Sequence, residues 1–238
     1  MNCQAVLPFL PVLAPADWPA DAAAFEKKLR RAALRGEPIA IGTVTDPYQP
    51  AERRHGVVRS LLETFARVEG LDISITTRSP LILRDLDLLA DLDRRHSVSV
   101  QVGLTAVDPD LARRLEPHAP APEARLVTVR ALADEGITTS VFCGPVMPGI
   151  NDGEEVLRPL MEAAGDAGAY DVQAYAADLR PAARGRLLPW LSEELPWLVP
   201  FHRPRRSSPP IPGQDYLLAT FRRLRLEYGF PRPVPGRG

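Results

Sequence analysis

The residues best suited to chemistry lie in short polar loops that each follow an apolar run. Thr43, Thr45 and Asp46 belong to Gly42-Thr43-Val44-Thr45-Asp46, behind Ile39-Ala40-Ile41 and ahead of Pro47 and Pro50. Thr77, Arg78 and Ser79 follow Asp72 to Thr76, and Thr105 and Asp108 follow Ser97 to Leu104. Asn151 closes the loop after Thr138 to Cys143. Hydroxyls beside one carboxylate and one guanidinium can orient a charged ligand. Arg78 suits a carboxylate or phosphate gripped by two parallel N–H bonds. The helix expected from about Glu52 would point its N-terminus at the Thr43 to Asp46 loop and favour an anionic ligand there, with Thr and Asp as helix caps the plainer use. A salt bridge at the rim is the competing use of Arg78. No Ser/His/Asp or Cys/His combination for nucleophilic catalysis stands out. His55, His96, His118 and His202 fall on helices or loops and are expected at the solvated surface. Asp152 and Glu155 have the spacing of a capping box.

Alternating strands and helices must hold these loops. Period-two and apolar runs predict strands over 38–42, 72–76, 97–104, 138–143 and 171–176. Helical spacing predicts helices over 21–35, about 52–68, 84–95, 109–115, 123–135 and 154–167. Strand starts so spaced suit βαβ units, whose right-handed crossovers wind a parallel sheet that curls. Five strands cannot close an eight-stranded barrel. The expected fold is α/β, a partial (β/α) TIM-type barrel with parallel strands over residues 21–178. An irregular Pro-rich N-terminus (1–20) precedes it, and a helical, Pro-rich C-terminal extension (179–238) follows. Ligands bind such folds where the strand C-termini converge.

Composition narrows the class. The chain has 238 residues, 45% apolar and 25% charged, enough for one sizeable core. A net charge of -1 argues neither for nor against nucleic acid. Arg203-Pro204-Arg205-Arg206, with Trp190, Trp197 and Phe201 nearby, is a candidate nucleic-acid contact; a solvated, partly disordered tail is the plainer expectation. Two cysteines exclude a disulfide framework or a metal quartet and suit a reducing cytoplasm. Residues 5–16 are apolar, but three prolines and no preceding Lys or Arg disfavour a signal peptide. No run reaches the ~18 apolar residues of a membrane span. A cytoplasmic protein with no membrane partner is expected.

Longer stretches carry a resemblance. G-E-P-I-A-I-G-T-V-T-D-P-Y-Q-P-A-E (Gly36 to Glu52) is similar to a signature of radical S-adenosylmethionine proteins related to spore photoproduct lyase, the DNA-repair photolyase-like family. The likeness continues through I-S-I-T-T-R-S (Ile73 to Ser79), L-I-L-R-D-L-D-L-L (Leu81 to Leu89), Asp108 to Leu126, and P-V-M-P-G-I-N-D (Pro145 to Asp152). It implies a partial (β/α)6 barrel with S-adenosylmethionine and a 4Fe–4S cluster as cofactors. The implied chemistry is reductive cleavage to a 5′-deoxyadenosyl radical and lyase-type reactions. It places Thr43, Thr45 and Asp46 near the methionyl amino group. Thr77, Arg78 and Ser79 stand where relatives carry T-K-S, with Arg for Lys changing the reach toward the carboxylate. Thr105 closes the next strand, Arg125 approaches the cofactor carboxylate, and Pro148, Gly149 and Asn151 pass near the adenine.

One family feature is absent. The C-x-x-x-C-x-x-C loop that ligates the cluster does not occur; Cys3 stands alone and Cys143 follows a different strand. The family's first strand is correspondingly missing or divergent, and no catalytic or metal-ligating residue is assigned. Three readings stay open. The chain is a radical lyase-like protein without its cysteine segment and inactive alone. Or it binds S-adenosylmethionine, a nucleotide or nucleic acid without radical chemistry. Or it is an interaction module. Substrate and oligomeric state are not readable.

Overall fold

Why the polar loops meet follows from strand order. The computed structural model describes residues 22–176, 181–202 and 214–231. Within them β1 (Pro38–Ile41), β2 (Asp72–Thr77), β3 (Ser97–Gly103), β4 (Thr138–Val146) and β5 (Asp171–Ala176) form one sheet, in chain order and parallel throughout. Right-handed crossovers that always step the same way put their helices on one face. In a doubly wound sheet the order reverses and both faces are covered. This sheet is instead the wall of an open, partial (β/α) barrel.

Helix α1 (Ala22–Arg35) precedes β1, and α2 (Glu52–His55) and α3 (Val57–Phe65) lead to β2. Then α4 (Leu86–Asp93) leads to β3, α5 (Pro109–Leu115) and α6 (Pro122–Asp134) to β4, and α7 (Glu154–Asp166) to β5. Helices α8 (Pro181–Glu194), α9 (Val199–His202) and α10 (Gln214–Glu227) follow. Register puts Ile41, Ile75 and Val100 in one row of the sheet. With Ile39, Ile73, Val98, Val102, Val141 and Val172 they are buried in a single core with Leu62, Phe65, Leu92, Leu132 and Leu160. Each fully buried aliphatic side chain there contributes about 1.5–3 kcal/mol. The intervening residues, Ala40, Ser74, Thr76, Ser99 and Gln101, are small or polar and only half-buried.

Several expectations change. The helix expected over 52–68 breaks at Gly56, which adopts a left-handed φ of 61° between α2 and α3. Glu52 explains the break: its Oε1 accepts from Val58 N at 3.1 Å and satisfies the start of α3. The helix expected over 84–95 begins at Leu86, because Pro80 to Asp85 winds as a 3₁₀ turn behind Ser79, whose Oγ accepts from Leu81 N at 3.3 Å. Strand β4 runs past Cys143 to Val146 through an irregular register. The capping box does not form. Gly153 caps α7 with its backbone alone, and Asp152 Oδ1 accepts from Gly149 N at 2.7 Å. His55 and His118 are exposed, but His96 and His202 are buried. Burial lowers the pKa of His96, whose Nδ1 accepts from Leu71 N at 3.2 Å.

The C-terminal helices pack. Arg225 in α10 forks onto Asp171 with bonds of 2.7 and 2.8 Å, and Phe221 and Leu224 enter the main core. Leu191, Leu198 and Val199 form a second cluster against Ile150. Trp190 lies under the Arg114 guanidinium, 5.8 Å from its ring centre, and Trp197 is exposed. Residues 1–20, the Arg203 to Arg206 tract and the Phe201 side chain lie outside the described residues. Among the described residues no helix is long and apolar enough to cross a membrane.

Gly42, which follows β1, has φ 89°, and a Cβ there would sit 2.1 Å from the Thr76 carbonyl oxygen. Gly36 has φ 61° and open space around its missing Cβ. Gly36→Ala should cost roughly 1 kcal/mol, and Gly42→Ala at least about 2 kcal/mol more, read from urea midpoints. Equal costs would show that the Gly42 turn relaxes freely.

Candidate functional site

Asp46 ties the first two strand ends together. Its Oδ1 accepts from the Thr77 hydroxyl at 2.7 Å and from Tyr48 N at 2.9 Å, and its Oδ2 accepts from Arg78 N at 2.8 Å. Thr77 Oγ1 in turn accepts from Ser79 N at 2.9 Å. A second polar cluster braces this loop from the helix side. Arg84 Nη2 donates to Glu52 Oε1 at 2.9 Å and to Asp85 Oδ2 at 2.8 Å, and Arg59 Nη1 reaches Asp85 Oδ1 at 2.9 Å. Asp85 has no exposed surface, so the charges of Arg84 and Arg59 and their hydrogen bonds are what keep it ionised, its pKa below the usual carboxylate range despite burial. The Tyr48 ring is buried. The prominent Tyr48, Glu52, Arg84 and Asp85 therefore shape the loop from behind.

A third group joins the ends of β2, β3 and β4. Arg78 Nε donates to Glu116 Oε1 at 2.5 Å, and Arg78 Nη2 to the Gly144 carbonyl at 3.1 Å. Glu116 Oε2 accepts from Arg125 Nη1 at 2.7 Å and from the Thr105 hydroxyl at 2.9 Å. Arg125 also donates to Gly103 O at 3.0 Å and Pro120 O at 2.7 Å, and is only 1% exposed. Burial by itself would raise the Glu116 carboxyl. The charges of Arg78 and Arg125 and the bonds from Arg125 and Thr105 outweigh it, holding the pKa below the ordinary value. Gly103 makes room for this: a Cβ there would meet Arg78 Cγ at 2.8 Å. Asn151, fully buried, donates to Thr105 O and Pro145 O at 3.3 Å each and accepts from Met147 N at 2.7 Å, pinning the 145–151 loop.

The structure thus brings Asp46, Thr77, Arg78, Ser79, Thr105, Arg125 and Asn151 into connected networks at one end of the sheet, while Thr43 and Thr45 are exposed on the turn beside Asp46. Glu116 is the residue that sequence reading missed. A signal was present: an acid at the C-terminus of α5, directly after Arg113, Arg114 and Leu115, opposes the helix dipole and calls for a partner elsewhere.

The donor set suits an amino-acid-like ligand. Three contacts leave Asp46 Oδ2 an acceptor site for an ammonium, and Arg78 is half-exposed with Nη1 unpartnered among the described residues. An iron–sulfur cluster is a different case. Its three thiolates exceed the two cysteines of the sequence, and Cys143 is wholly buried, its thiol pushed up to about 12 by burial and then by Glu116. No group of three His, Cys, Asp or Glu side chains placed to hold a metal occurs among the described residues. The residues present do not fit the cluster.

The radical SAM superfamily profile matches residues 16–160, more than half the chain. The chain belongs to the radical SAM superfamily. An uncharacterized protein of Mycobacterium tuberculosis is 37% identical over 220 residues, which is 90% of this chain and 64% of that protein. The chain thus spans just under two thirds of that relative's length. An uncharacterized protein of Methanocaldococcus jannaschii is 31% identical over 121 residues, covering 50% of this chain and 44% of its own. A spore photoproduct lyase structure superposes with a TM-score of 0.66 over 90% of this chain and 65% of that one, at 12% identity. At that identity the likeness is one of fold, and the fold is the radical SAM partial barrel.

Glu116→Gln should lower stability by about 3 kcal/mol near neutral pH, because it leaves two guanidiniums facing a neutral amide. A carboxyl with a depressed folded pKa stabilises above its unfolded value of about 4.3 and loses that contribution as pH falls through the folded one. The gap between variant and parent should therefore hold from about pH 7 to about pH 5 and narrow as pH falls through about 4.3 toward about 3.5. A constant gap in urea midpoints would show that the Glu116 charge does not hold the site.

Proposed function

We propose that this chain binds S-adenosylmethionine at the rim formed by Asp46, Thr77, Arg78, Thr105 and the 145–151 loop, in the service of radical lyase-type chemistry like that named for spore photoproduct lyase. The supporting observation is Asp46, a carboxylate held by three donors with an acceptor site left over, set beside the Arg78 guanidinium. Asp46 takes the methionyl ammonium, with the Thr43 and Thr45 hydroxyls adjacent. Arg78 Nη1 offers the carboxylate a donor while Glu116 keeps the side chain in place. Arg125, Ser79 and Asn151 act as positioning residues: Arg125 through Glu116, Ser79 through the turn after β2, and Asn151 by setting the Pro148-Gly149 backbone for the adenine. A spore photoproduct lyase structure holding both AdoMet and a dinucleoside spore photoproduct, with a TM-score of 0.63, supports this cofactor and makes nucleic acid the first substrate class to test.

Cluster chemistry is not assigned to this chain's own residues, because their thiolates are too few. That shortage favours a second reading, a cluster-less binder of S-adenosylmethionine, and both readings share the same rim.

Calorimetric titration should show saturable one-to-one binding of S-adenosylmethionine. Asp46→Asn should weaken it about tenfold or more, the worth of a charged hydrogen bond. Methylthioadenosine, which lacks the amino-acid part, should bind parent and variant alike. Absence of saturable heat, or equal losses for the two ligands, would overturn the assignment. Anaerobic reconstitution with iron and sulfide separates the readings: a stoichiometric cluster would refute the shortage of ligands.

A further inference from the structure

A parallel sheet covered on both faces has apolar side chains on both, and a closed barrel fills its interior with bulky branched ones. This sheet does neither on the face away from the core. Register aligns Ala40, Ser74, Ser99 and Thr138 in one row, and Thr76, Gln101, Ser140 and Asp171 in the next. Across this face runs a hydrogen-bond relay. Thr76 Oγ1 donates to Gln101 Oε1 at 3.2 Å, Gln101 Nε2 to Gln173 Oε1 at 3.4 Å, and Gln173 Nε2 to Asp171 Oδ2 at 3.5 Å. The small Ser140 on β4 leaves room for the two amides to meet from β3 and β5. Asp171, already gripped by the Arg225 guanidinium, accepts from Gln173 Nε2, and this sets the direction of each amide in turn.

Each amide uses one N–H and one lone pair in the relay, and keeps one of each. Gln173 is exposed and Gln101 half-buried, so both reach solvent. Phe142 stands in the same row as Gln173, half-buried. Beside the two amides the charges are paired, Asp171 with Arg225 and Arg78 above it with Glu116, while the exposed Asp72 stands on the same face at the start of β2, two rows below Thr76. A charged ligand would find no unpaired counter-charge next to Gln101 and Gln173 among the described residues. A flat, uncharged group presenting an N–H beside a C=O would find two matching amides.

We propose that this face is a binding surface for a planar lactam or carboxamide edge, read by Gln101 and Gln173. It lies on the open side of the sheet, apart from the strand-end rim, and its test needs no cofactor, so either assignment can fail alone.

The test follows the side-chain amide signals of the ¹⁵N-labelled full chain, assigned from their loss in Gln101→Leu and Gln173→Leu. Uracil and benzamide are the uncharged probes, and benzoate and benzylamine the charged controls of similar size. The expected result is a saturable shift of both amide pairs with an uncharged probe and none with the controls. Gln101→Leu should abolish the shift at Gln173 while the variant remains folded by circular dichroism. A response to uracil alone assigns a nucleobase, and one to benzamide alone a carboxamide. No saturable shift with either probe, or an equal shift with benzoate or benzylamine, would overturn the proposal and leave the relay as a brace between strands.

Discussion

The carboxylate of Glu116 is the constraint on which the strand-end geometry rests. It lies between the guanidinium that follows β2 and one from α6, and it accepts from the hydroxyl that follows β3. Removing such charges from water costs several kcal/mol per ion, so an ion group of this kind holds only where every partner is in place. It is therefore a weak source of net stability and a strong source of geometry. If Glu116 leaves, two arginines lose their anchor, one of them almost wholly buried. Among the described residues, the loops after β2, β3 and β4 are then joined by the Arg78 bond to the Gly144 carbonyl and by the Asn151 bonds to Thr105 and Pro145.

A second constraint is topological. Because strand order never reverses, the crossover helices gather on one side and supply a complete apolar core there. Ile73, Ile75, Val98 and Val100 are essentially inaccessible on that side. The opposite face keeps its serines, threonines and glutamines. Polar residues alternating with apolar ones are an ordinary feature of antiparallel sheets with one wet face. In a parallel sheet they mark a face that packed apolar side chains do not fill.

These two constraints also explain the recognisable stretches of the chain. In T-D-P-Y-Q-P-A-E, Asp46 faces the rim, whereas Tyr48 is buried and Glu52 holds Arg84 and caps α3. In L-R-D, Arg84 and Asp85 complete the brace behind the loop. Motif residues thus divide between those at the rim and those that keep the loop in shape. Superfamily membership accounts for the shared barrel.

The sequence by itself determined the alternation of strands and helices, the five strands and the loops that follow them. These depend on side chains near one another in the chain, where period-two and helical spacing can be read directly. It also carried Asp46, Thr77 and Arg78 as rim residues, because strand ends are local features. Only the tertiary structure decided that Arg78 meets Glu116 across 38 positions, that Arg125 is sealed inside, and that His96 and His202 are buried. The broken helix at Gly56 and the 3₁₀ turn before α4 rest on short-range caps, Glu52 to Val58 N and Ser79 to Leu81 N, whereas the Arg84 bond to Glu52 ties the two segments across the chain. A polar side chain's partner is set by which crossovers bring it near, and spacing along the chain does not encode that distance.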